Sequence, residues 1–513
     1  MGEIPDIPRF AGWAHAAGFK VVQFLPVGEV CGGETSPYAA SSAFAIDPVY
    51  LGLDQCEDFQ KAGGREALSA EERGQLDELS RSPTVRWAEV RALKSRAAAL
   101  AFARFEREEW VPQSERAREL GRFIEARKEW LEDYALFSVL HDRFATSWLD
   151  WEPALRDRLP GALAAARQEH QQAILHRCWL QWQLDAQWHR ARTEAAAAGI
   201  ELMGDLPFVV ATDSADVWSH RDVFHPELRV GTPPDAFSAE GQDWGLPLYD
   251  WAAMERSNFA WMRARAARAG ELYSLYRVDH VIGLYRTYFR SADGSQKGFV
   301  PPEEAEQIRL GETLLPILSD AGEVVAEDLG MVPPFLRPSL TKLGIPGYKV
   351  LRWEKEDAPA GQPQPAPEGQ PQPQTEQGPP PLKVVFHDPA KWDALSVAAS
   401  GTHDIETNAD WYDALPADER AALARIPGLE LCAQREKFDD AVRDALLRVL
   451  WAAPSRLVAI QFQDAFGARE RVNVPGTVAD TNWTYRMPMT LAELDQDRAT
   501  AERMAALSRE TGR

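Results

Sequence analysis

The sequence predicts an α/β protein built on a (β/α)8 barrel of the TIM type, with helical and loop insertions. Two observations support this class. Short apolar runs that resemble strands alternate with helical stretches, which is typical of a parallel sheet. Three of these runs end in a carboxylate, at Asp279, Glu327 and Asp404, and side chains at the carboxyl ends of the strands form the functional sites of such barrels. The 513 residues suffice for one large barrel with insertions.

Seven apolar runs are predicted to be strands. They cover residues 21–26, 200–206, 273–279, 323–327, 347–352, 397–403 and 457–462. Helices are expected at 8–19, 259–269 and 302–318. The eighth strand should precede residue 21, where the chain begins too late to hold it, so the first strand of the barrel is predicted to be missing. A barrel that lacks one strand exposes two unpaired edges.

One barrel is expected to span residues 1–513, with three insertions. Residues 55–198, in which Ala, Leu, Glu and Arg recur at helical spacing, are predicted to form a helical insertion between the second and third barrel strands. Residues 207–258 are expected to be a loop-rich insertion that walls the functional site. Residues 356–382 form a Pro/Gln/Gly tract that cannot bury much apolar area, and they are predicted to be a flexible loop.

Composition restricts the partners and the compartment. The apolar fraction of 45% is normal for a globular protein. A formal charge of −22 argues against nucleic acid and anionic membranes as partners and suits a neutral ligand. Four scattered cysteines without a CxxC pair indicate reduced thiols. The absence of a signal peptide and of an apolar run of about 20 residues predicts a soluble, cytoplasmic protein.

Asp279 has the environment of a nucleophile. Arg277, two residues earlier on the same predicted strand, points to the same face. Its guanidinium stabilises the ionised carboxylate that a nucleophile requires. The alternative is an ion pair that only closes the end of the strand.

Glu327 has the environment of a general acid. It follows the apolar run Val324-Val325-Ala326, where low polarity raises the pKa of a carboxyl group toward neutrality. Asp328, next to it, is expected to face the other way. The alternative is a turn that leaves Glu327 in solvent.

Asp404 follows His403 at the end of the last acid-bearing run. Such a carboxylate can hold the hydroxyl groups of a sugar more strongly as positive charge develops on the ring. The alternative is a helix N-cap, where Asp is common. Three acids at three strand ends are the set that glycosyl transfer needs: one attacks, one protonates the leaving oxygen and one holds the transition state.

Other chemistries lack their signatures. The ten histidines show no HxxxH or HxH spacing, so no metal site is expected. Neither a Gly-rich phosphate loop nor a G-x-S-x-G elbow is present, which argues against nucleotide binding and serine hydrolase chemistry. No cofactor is expected.

The sequence resembles the amylomaltases, which are 4-alpha-glucanotransferases or disproportionating enzymes. The resemblance covers almost the whole chain, from Gln23 to Trp483. The motifs that carry it are Ser36-Pro37-Tyr38 with Ser42-Ala43-Phe44-Ala45, Gly204-Asp205-Leu206-Pro207, Asp213-Ser214-Ala215-Asp216-Val217-Trp218, Pro233-Pro234-Asp235, Gly241-Gln242-Asp243-Trp244-Gly245, Arg277-Val278-Asp279-His280, Ala326-Glu327-Asp328-Leu329-Gly330, Thr402-His403-Asp404 and Asn473-Val474-Pro475-Gly476-Thr477.

The resemblance implies a retaining double displacement on α-1,4-glucans and maltooligosaccharides. Asp279 would attack the anomeric carbon, Glu327 would protonate the leaving oxygen, and Asp404 would brace the distorted sugar. A second glucan would then take the glucosyl group, and the carboxyls of Asp279 and Glu327 should lie about 5–5.5 Å apart. The resemblance also places further residues on the substrate: Tyr38, Asp205, Trp244, Arg277, His280, His403 and Asn473. Alternatively, Trp244 belongs to the core and Asn473 serves only its turn.

The chain departs from the family pattern at two points that bear on function. It begins inside the Gly-rich turn that follows the family's first strand, and it has Ile405-Glu406-Thr407 where the family usually has Asn-Asp-Thr after the acid. Two other functions therefore stay open. One is a retaining α-glucan hydrolase with the same acids, and the other is a non-catalytic glucan-binding protein whose site is disrupted by the missing strand. The sequence predicts no oligomeric state.

Overall fold

The computed structural model describes residues 2–233, 241–357, 384–477 and 479–513. The chain divides into two compact units. The first comprises Met1–Ser339 and Val478–Asp497, and the second comprises Leu340–Thr477 and Arg498–Arg513. Within the described ranges, none of the helices is both long enough and apolar enough to cross a bilayer. All four cysteines are free thiols.

The first unit contains eight strands within its described residues. They are β1 (Val21–Gln23), β2 (Glu201–Leu206), β3 (Phe224–Thr232), β4 (Gln242–Tyr249), β5 (Leu275–Val278), β6 (Thr287–Ser291), β7 (Lys297–Val300) and β8 (Glu323–Ala326). Four of them form a parallel sheet in which β1 pairs with β2, β2 with β5, and β5 with β8. The register aligns Asp205 with Arg277, and Arg277 with Val325. The carboxyl ends of β2, β5 and β8 therefore meet along one edge.

Helices surround these strands in the first unit. They are α1 (Ile7–Ala16), α2 (Glu57–Lys61), α3 (Ala70–Arg81), α4 (Trp87–Phe105), α5 (Glu115–Phe144), α6 (Pro153–Arg156), α7 (Pro160–Glu169), α8 (Gln171–Ala197), α9 (Ala215–Ser219), α10 (Trp251–Arg256), α11 (Ala260–Leu272) and α12 (Glu304–Ser319). The segment from α2 to α8 lies between β1 and β2 in the chain. Four tryptophans of this unit are almost completely buried, as expected for core residues: Trp148, Trp179, Trp188 and Trp218.

A glycine in β2 is required by packing. A Cβ atom at Gly204 would lie 2.3 Å from the ring of Tyr273, whose residue follows α11. Because an aromatic ring cannot yield by that amount, only glycine fits there. The close packing fixes β2 beside β5 and so sets the position of Asp205, the next residue.

A buried charge cluster ties the helical segment together. The side chain of Asp58 in α2 is fully buried. It accepts hydrogen bonds from Arg104 (2.8 Å) and Arg116 (2.7 Å), and from the indole nitrogen of Trp179 (3.3 Å). These donors belong to α4, α5 and α8, so one carboxylate connects four helices.

Replacing Asp58 by alanine is expected to lower the free energy of unfolding by about 3–5 kcal/mol, because the buried guanidinium of Arg104 and the mostly buried one of Arg116 lose a partner that they share. Chemical unfolding of both proteins measures this difference. The matched control is Asp54→Ala, because Asp54 pairs with Arg65 and both side chains are more than half exposed. That variant should lose at most about 1 kcal/mol. Equal losses in the two variants would contradict the assignment.

The structure of residues 207–258 differs from the prediction, because part of this segment belongs to a second sheet of the first unit. This segment was expected to be loop-rich, but its described residues contain α9, α10 and the antiparallel strands β3 and β4. Strand β3 also pairs with β6, and β6 pairs with β7, to give a four-stranded antiparallel sheet. The local pattern could not reveal these strands, since β3 finds one partner about 60 residues downstream.

The second unit contains a parallel arrangement of its own. Its strands are β9 (Gly347–Val350), β10 (Lys355–Asp357), β11 (Val384–Phe386), β12 (Ser396–Ala399) and β13 (Leu457–Ala459). Strand β12 pairs with β9 on one side and β13 on the other, both parallel. The ribbon β10–β11 is antiparallel and includes Glu356 and Asp357, the first residues of the predicted flexible loop. The rest of that loop, 358–382, lies outside the described residues.

The remaining helices complete the chain. They are α13 (Leu336–Leu343), at the boundary of the units, α14 (Asn408–Ala414), α15 (Ala417–Leu423), α16 (Asp440–Trp451), α17 (Phe462–Phe466), α18 (Leu491–Leu494) and α19 (Arg498–Thr511). The seven predicted strands are confirmed as β1, β2, β5, β8, β9, β12 and β13, and they alternate with helices, which confirms the α/β class. Most end one to four residues earlier than predicted.

Candidate active site

The site of the first unit begins at the edge where β2, β5 and β8 end. Asp205 is the fifth residue of β2, Arg277 the third of β5, and Asp279 and Glu327 directly follow β5 and β8. The backbone ladder continues past the strands, because the amide of Asp279 donates to Leu206 and that of Glu327 donates to Val278, each at 3.0 Å. The four side chains thus start from fixed neighbouring positions.

Arg277 connects the acids of this edge. Its guanidinium contacts both oxygens of Asp205 at 2.8 Å and one oxygen of Asp279 at 2.9 Å, and its second terminal nitrogen lies 4.0 Å from Glu327. The side chain is 5% exposed. Burial lowers the pKa of Arg277, but the carboxylates of Asp205 and Asp279 outweigh that effect and raise it well above the ordinary value. This cation is therefore permanent, and it favours the ionised form of its neighbours.

Glu327 is buried at the same edge. Its carboxyl oxygens accept hydrogen bonds from the backbone amides of His280 (2.8 Å) and Leu329 (3.1 Å). Burial raises the pKa of Glu327 to about 7, against the opposing effect of Arg277 and with a further rise from the charge of Asp279. The raised pKa predicted from the apolar run is confirmed. A carboxyl group with this pKa holds a proton at neutral pH and can donate it.

Asp328 points elsewhere. It is buried against Arg337, whose Nε donates to it at 3.0 Å. The turn after β8 therefore does not leave Glu327 in solvent, since the side chain of Glu327 is only 13% exposed. That alternative was wrong.

His280 and Trp244 form an aromatic side of the site. The His280 backbone has φ +46°, a left-handed conformation that is unusual for a residue other than glycine. Burial lowers the pKa of its imidazole to about 4, so the ring is neutral near pH 7. Trp244 packs edge-on against it, with ring centroids 4.8 Å apart, and donates from its indole nitrogen to Gln242 at 3.0 Å. Trp244 is half-buried and contacts the site, so it is not a core residue.

Tyr38 reaches the same cluster from the loop after β1. Its hydroxyl donates to Asp205 at 2.7 Å and lies 3.4 Å from the guanidinium of Arg277. Burial and the charge of Asp205 raise the pKa of Tyr38 well above its ordinary value, so it stays protonated. The structure thus brings together seven of the predicted residues in the first unit: Tyr38, Asp205, Trp244, Arg277, Asp279, His280 and Glu327.

The second unit brings together the other three. Asp404 lies in the loop after β12, and its carboxylate accepts from the side-chain amide of Asn473 at 2.6 Å. His403 lies 3.3 Å from the other carboxylate oxygen, and its carbonyl accepts from the backbone amide of Asn473 at 3.1 Å. Asp404 keeps 40% exposure. It caps no helix, because the cap of α14 is Thr407.

Two residues of this group were not predicted from the sequence. Arg471 donates to the carbonyls of Asn473, at 2.7 Å, and of Asp404. Buried Arg352 pairs with Glu406 at 3.0 Å, so the residue that departs from the family pattern is held in an ion pair. Because Arg471 contacts backbone atoms, no sequence signal could have identified it.

The arrangement fits acid and nucleophile chemistry. In the first unit, one guanidinium contacts the carboxyl group of Asp279 and lies near that of Glu327, whose pKa is raised by burial. Two carboxyl groups, one of them able to donate a proton near neutral pH, are what displacement at a sugar carbon requires. In the described parts of both units, no group of three or more His, Cys, Asp or Glu side chains is placed to hold a metal ion.

Comparisons with known proteins agree on one family. The family model described as 4-alpha-glucanotransferase matches residues 1–491. The 4-alpha-glucanotransferase of Thermus thermophilus is 31% identical over 498 residues, which cover 94% of this chain and 90% of the relative. That of Chlamydia pneumoniae is 28% identical over 512 residues, covering 96% and 89%.

Solved structures support the same fold. The amylomaltase from Streptococcus agalactiae in complex with acarbose superposes with a TM-score of 0.78 at 23% identity, covering 98% of this chain and 94% of that one. The amylomaltase from Corynebacterium glutamicum gives a TM-score of 0.74 at 22% identity, covering 99% and 72%. The expectation of an amylomaltase-like fold is confirmed.

Proposed function

The chain belongs to the 4-alpha-glucanotransferase family, and we propose that it transfers an α-1,4-linked glucan segment from a donor maltooligosaccharide to an acceptor glucan or glucose through a covalent glucosyl-Asp279 intermediate. One observation carries this proposal: buried Arg277 contacts Asp279 at 2.9 Å and lies 4.0 Å from Glu327. The guanidinium holds two carboxyl groups side by side, and burial raises the pKa of one of them, Glu327. This is the pairing that a retaining double displacement uses.

In the first half-reaction, Asp279 attacks the anomeric carbon and the bond to the leaving glucan breaks. Glu327 gives its proton to the departing oxygen. Its pKa of about 7 supports this role, because the proton is present at neutral pH yet can be released. For this geometry we expect the two carboxyls about 5–5.5 Å apart.

In the second half-reaction, the hydroxyl group of an acceptor glucan takes the place of the leaving glucan. Glu327 accepts the proton of that hydroxyl, and the bond between Asp279 and the glucosyl carbon breaks. Asp404 is proposed to hold hydroxyl groups of the distorted ring. Its 40% exposure and its hydrogen bond from Asn473 support this role, since the carboxylate is oriented and still accessible.

Transfer instead of hydrolysis requires that water be kept from the intermediate. We propose that residues 207–258 wall the site for this purpose. The edge-on contact between Trp244 and His280 supports this, because it places a large apolar ring beside the residue that follows the nucleophile. The neutral imidazole of His280 is then suited to donate to a sugar hydroxyl.

Incubation with maltotriose tests the proposal. A transferase yields glucose together with maltopentaose and longer oligomers, which chromatography resolves from the substrate. A hydrolase would yield only shorter sugars. Binding of maltooligosaccharides without any product would point to a non-catalytic glucan-binding protein, and either result would overturn the proposal.

A further inference from the structure

Trp483 lies beside the predicted substrate residue Tyr38. Their ring centroids are 5.8 Å apart, and the planes are tilted by 52°. Both belong to the first unit, although Trp483 comes from the segment that returns to it near the end of the chain. Tyr38 in turn contacts Asp205, which pairs with Arg277. Trp483 is thus connected to the acid cluster through one tyrosine.

The backbone of Trp483 is strained. Its φ is +63°, in the left-handed region that glycine and asparagine adopt readily and a bulky residue does not. Residues in such conformations cost stability and persist where the surroundings force them. Because strained conformations cluster at active and ligand-binding sites, a tryptophan in this conformation indicates a function for its side chain.

The surroundings hold Trp483 firmly. Its carbonyl accepts from the indole nitrogen of Trp87 at 2.8 Å, and the next carbonyl, that of Thr484, accepts from the amide of Val85 at 2.9 Å. Arg486 donates to three carbonyls at the end of α3, those of Leu79, Ser80 and Ser82, at 2.7–3.0 Å. The half-buried indole is therefore held by contacts of Trp483 itself and of the residues that follow it.

From these contacts we propose that Trp483 is a stacking platform for a glucosyl unit of the bound glucan, at a position other than the ring that Asp279 attacks. The inference rests on the proposed function. An indole offers a flat apolar face, and the C–H face of a glucose ring packs on such a surface as other apolar groups do. The ring of Trp483 packs on Tyr38, which in turn contacts Asp205, so the platform contributes to holding longer glucans and not to the chemical step.

Titration of maltoheptaose into Asp279→Asn protein, which cannot turn it over, measures the affinity directly. Adding Trp483→Ala is expected to raise Kd by about three- to tenfold, the loss of one aromatic contact. Adding Trp483→Phe should recover most of the affinity. In otherwise unaltered enzyme, Trp483→Ala should raise KM for maltoheptaose and leave kcat within about twofold, since only binding is affected.

Two further variants serve as controls, one for folding and one for specificity. Trp483→Asn suits the left-handed backbone and should fold as well as the parent, with the same loss of affinity. Trp110→Ala removes a half-buried tryptophan of the helical segment, whose carbonyl accepts from Gln113 of the same segment, and it should leave Kd unchanged.

Unchanged affinity in Trp483→Ala and Trp483→Asn would overturn the inference. So would a fall in kcat at unchanged affinity, because Trp483 would then act only by supporting Tyr38. Failure of the proposed function has a different signature, since the unaltered enzyme would then yield no transfer products from maltotriose.

Discussion

Replacing Asp279 by asparagine is expected to reduce glucan transfer by about 10⁴-fold or more while glucan binding persists. The amide has nearly the shape of the carboxylate but no charge with which to attack the anomeric carbon. Arg277 keeps its two contacts with Asp205, so the local structure is retained. Initial rates with maltotriose and titration with maltoheptaose measure the two quantities.

The matched control is Asp328→Asn. Asp328 also follows a strand and is buried, but it pairs with Arg337 and faces away from Arg277. Its replacement should reduce the rate by less than about tenfold. Substantial transfer by Asp279→Asn would remove this residue from the role of nucleophile.

Glu327→Gln is expected to slow transfer by about 10²–10⁴-fold, because the leaving oxygen then departs without a proton. A substrate whose leaving group needs no proton, such as α-maltosyl fluoride, should react with Asp279 in this variant at a rate much closer to that of the unaltered enzyme. The rate of fluoride release measures that first step. An equal loss of rate on both substrates would show that Glu327 is not the acid.

The pH dependence of kcat/KM provides a second test of the role of Glu327. The pKa of Glu327 is raised to about 7, so the proton that the first half-reaction needs is present below pH 7 and is lost as the pH rises through 7. We expect kcat/KM of the unaltered enzyme to fall on the alkaline side with a midpoint near 7. The residual activity of Glu327→Gln should lack this fall, and an identical alkaline limb in both proteins would contradict the assignment.

Much of the site could be predicted from short stretches of sequence. Arg277 lies on β5 and Asp279 directly follows that strand two residues later; because extended backbone repeats every two residues, their contact follows from local geometry. The raised pKa of Glu327 follows from the apolar run before it. Neighbouring parallel strands then bring such residues to one edge, which alternation of strands and helices already indicates.

The features that could not be predicted depend on contacts between residues that are distant in the chain. Asp58 meets Arg104 and Arg116 only because three helices pack together, and helical spacing within each segment does not indicate which helices meet. The sheet containing β3 depends in the same way on a partner far downstream. Trp483 carries no local signal either, since its left-handed backbone and its contact with Tyr38 arise from anchors hundreds of residues earlier.

The position of Arg277 has a consequence for the charge of the site during the reaction. In the proposed mechanism, Asp279 carries one negative charge and Glu327 none before attack; once the ester has formed, Asp279 carries none and Glu327 has become an anion. The total charge facing the guanidinium is the same in both states, and the negative charge has only moved from the side of one terminal nitrogen to that of the other. No counter-ion therefore has to enter or leave between the half-reactions, and only the leaving glucan and the acceptor sugar exchange places.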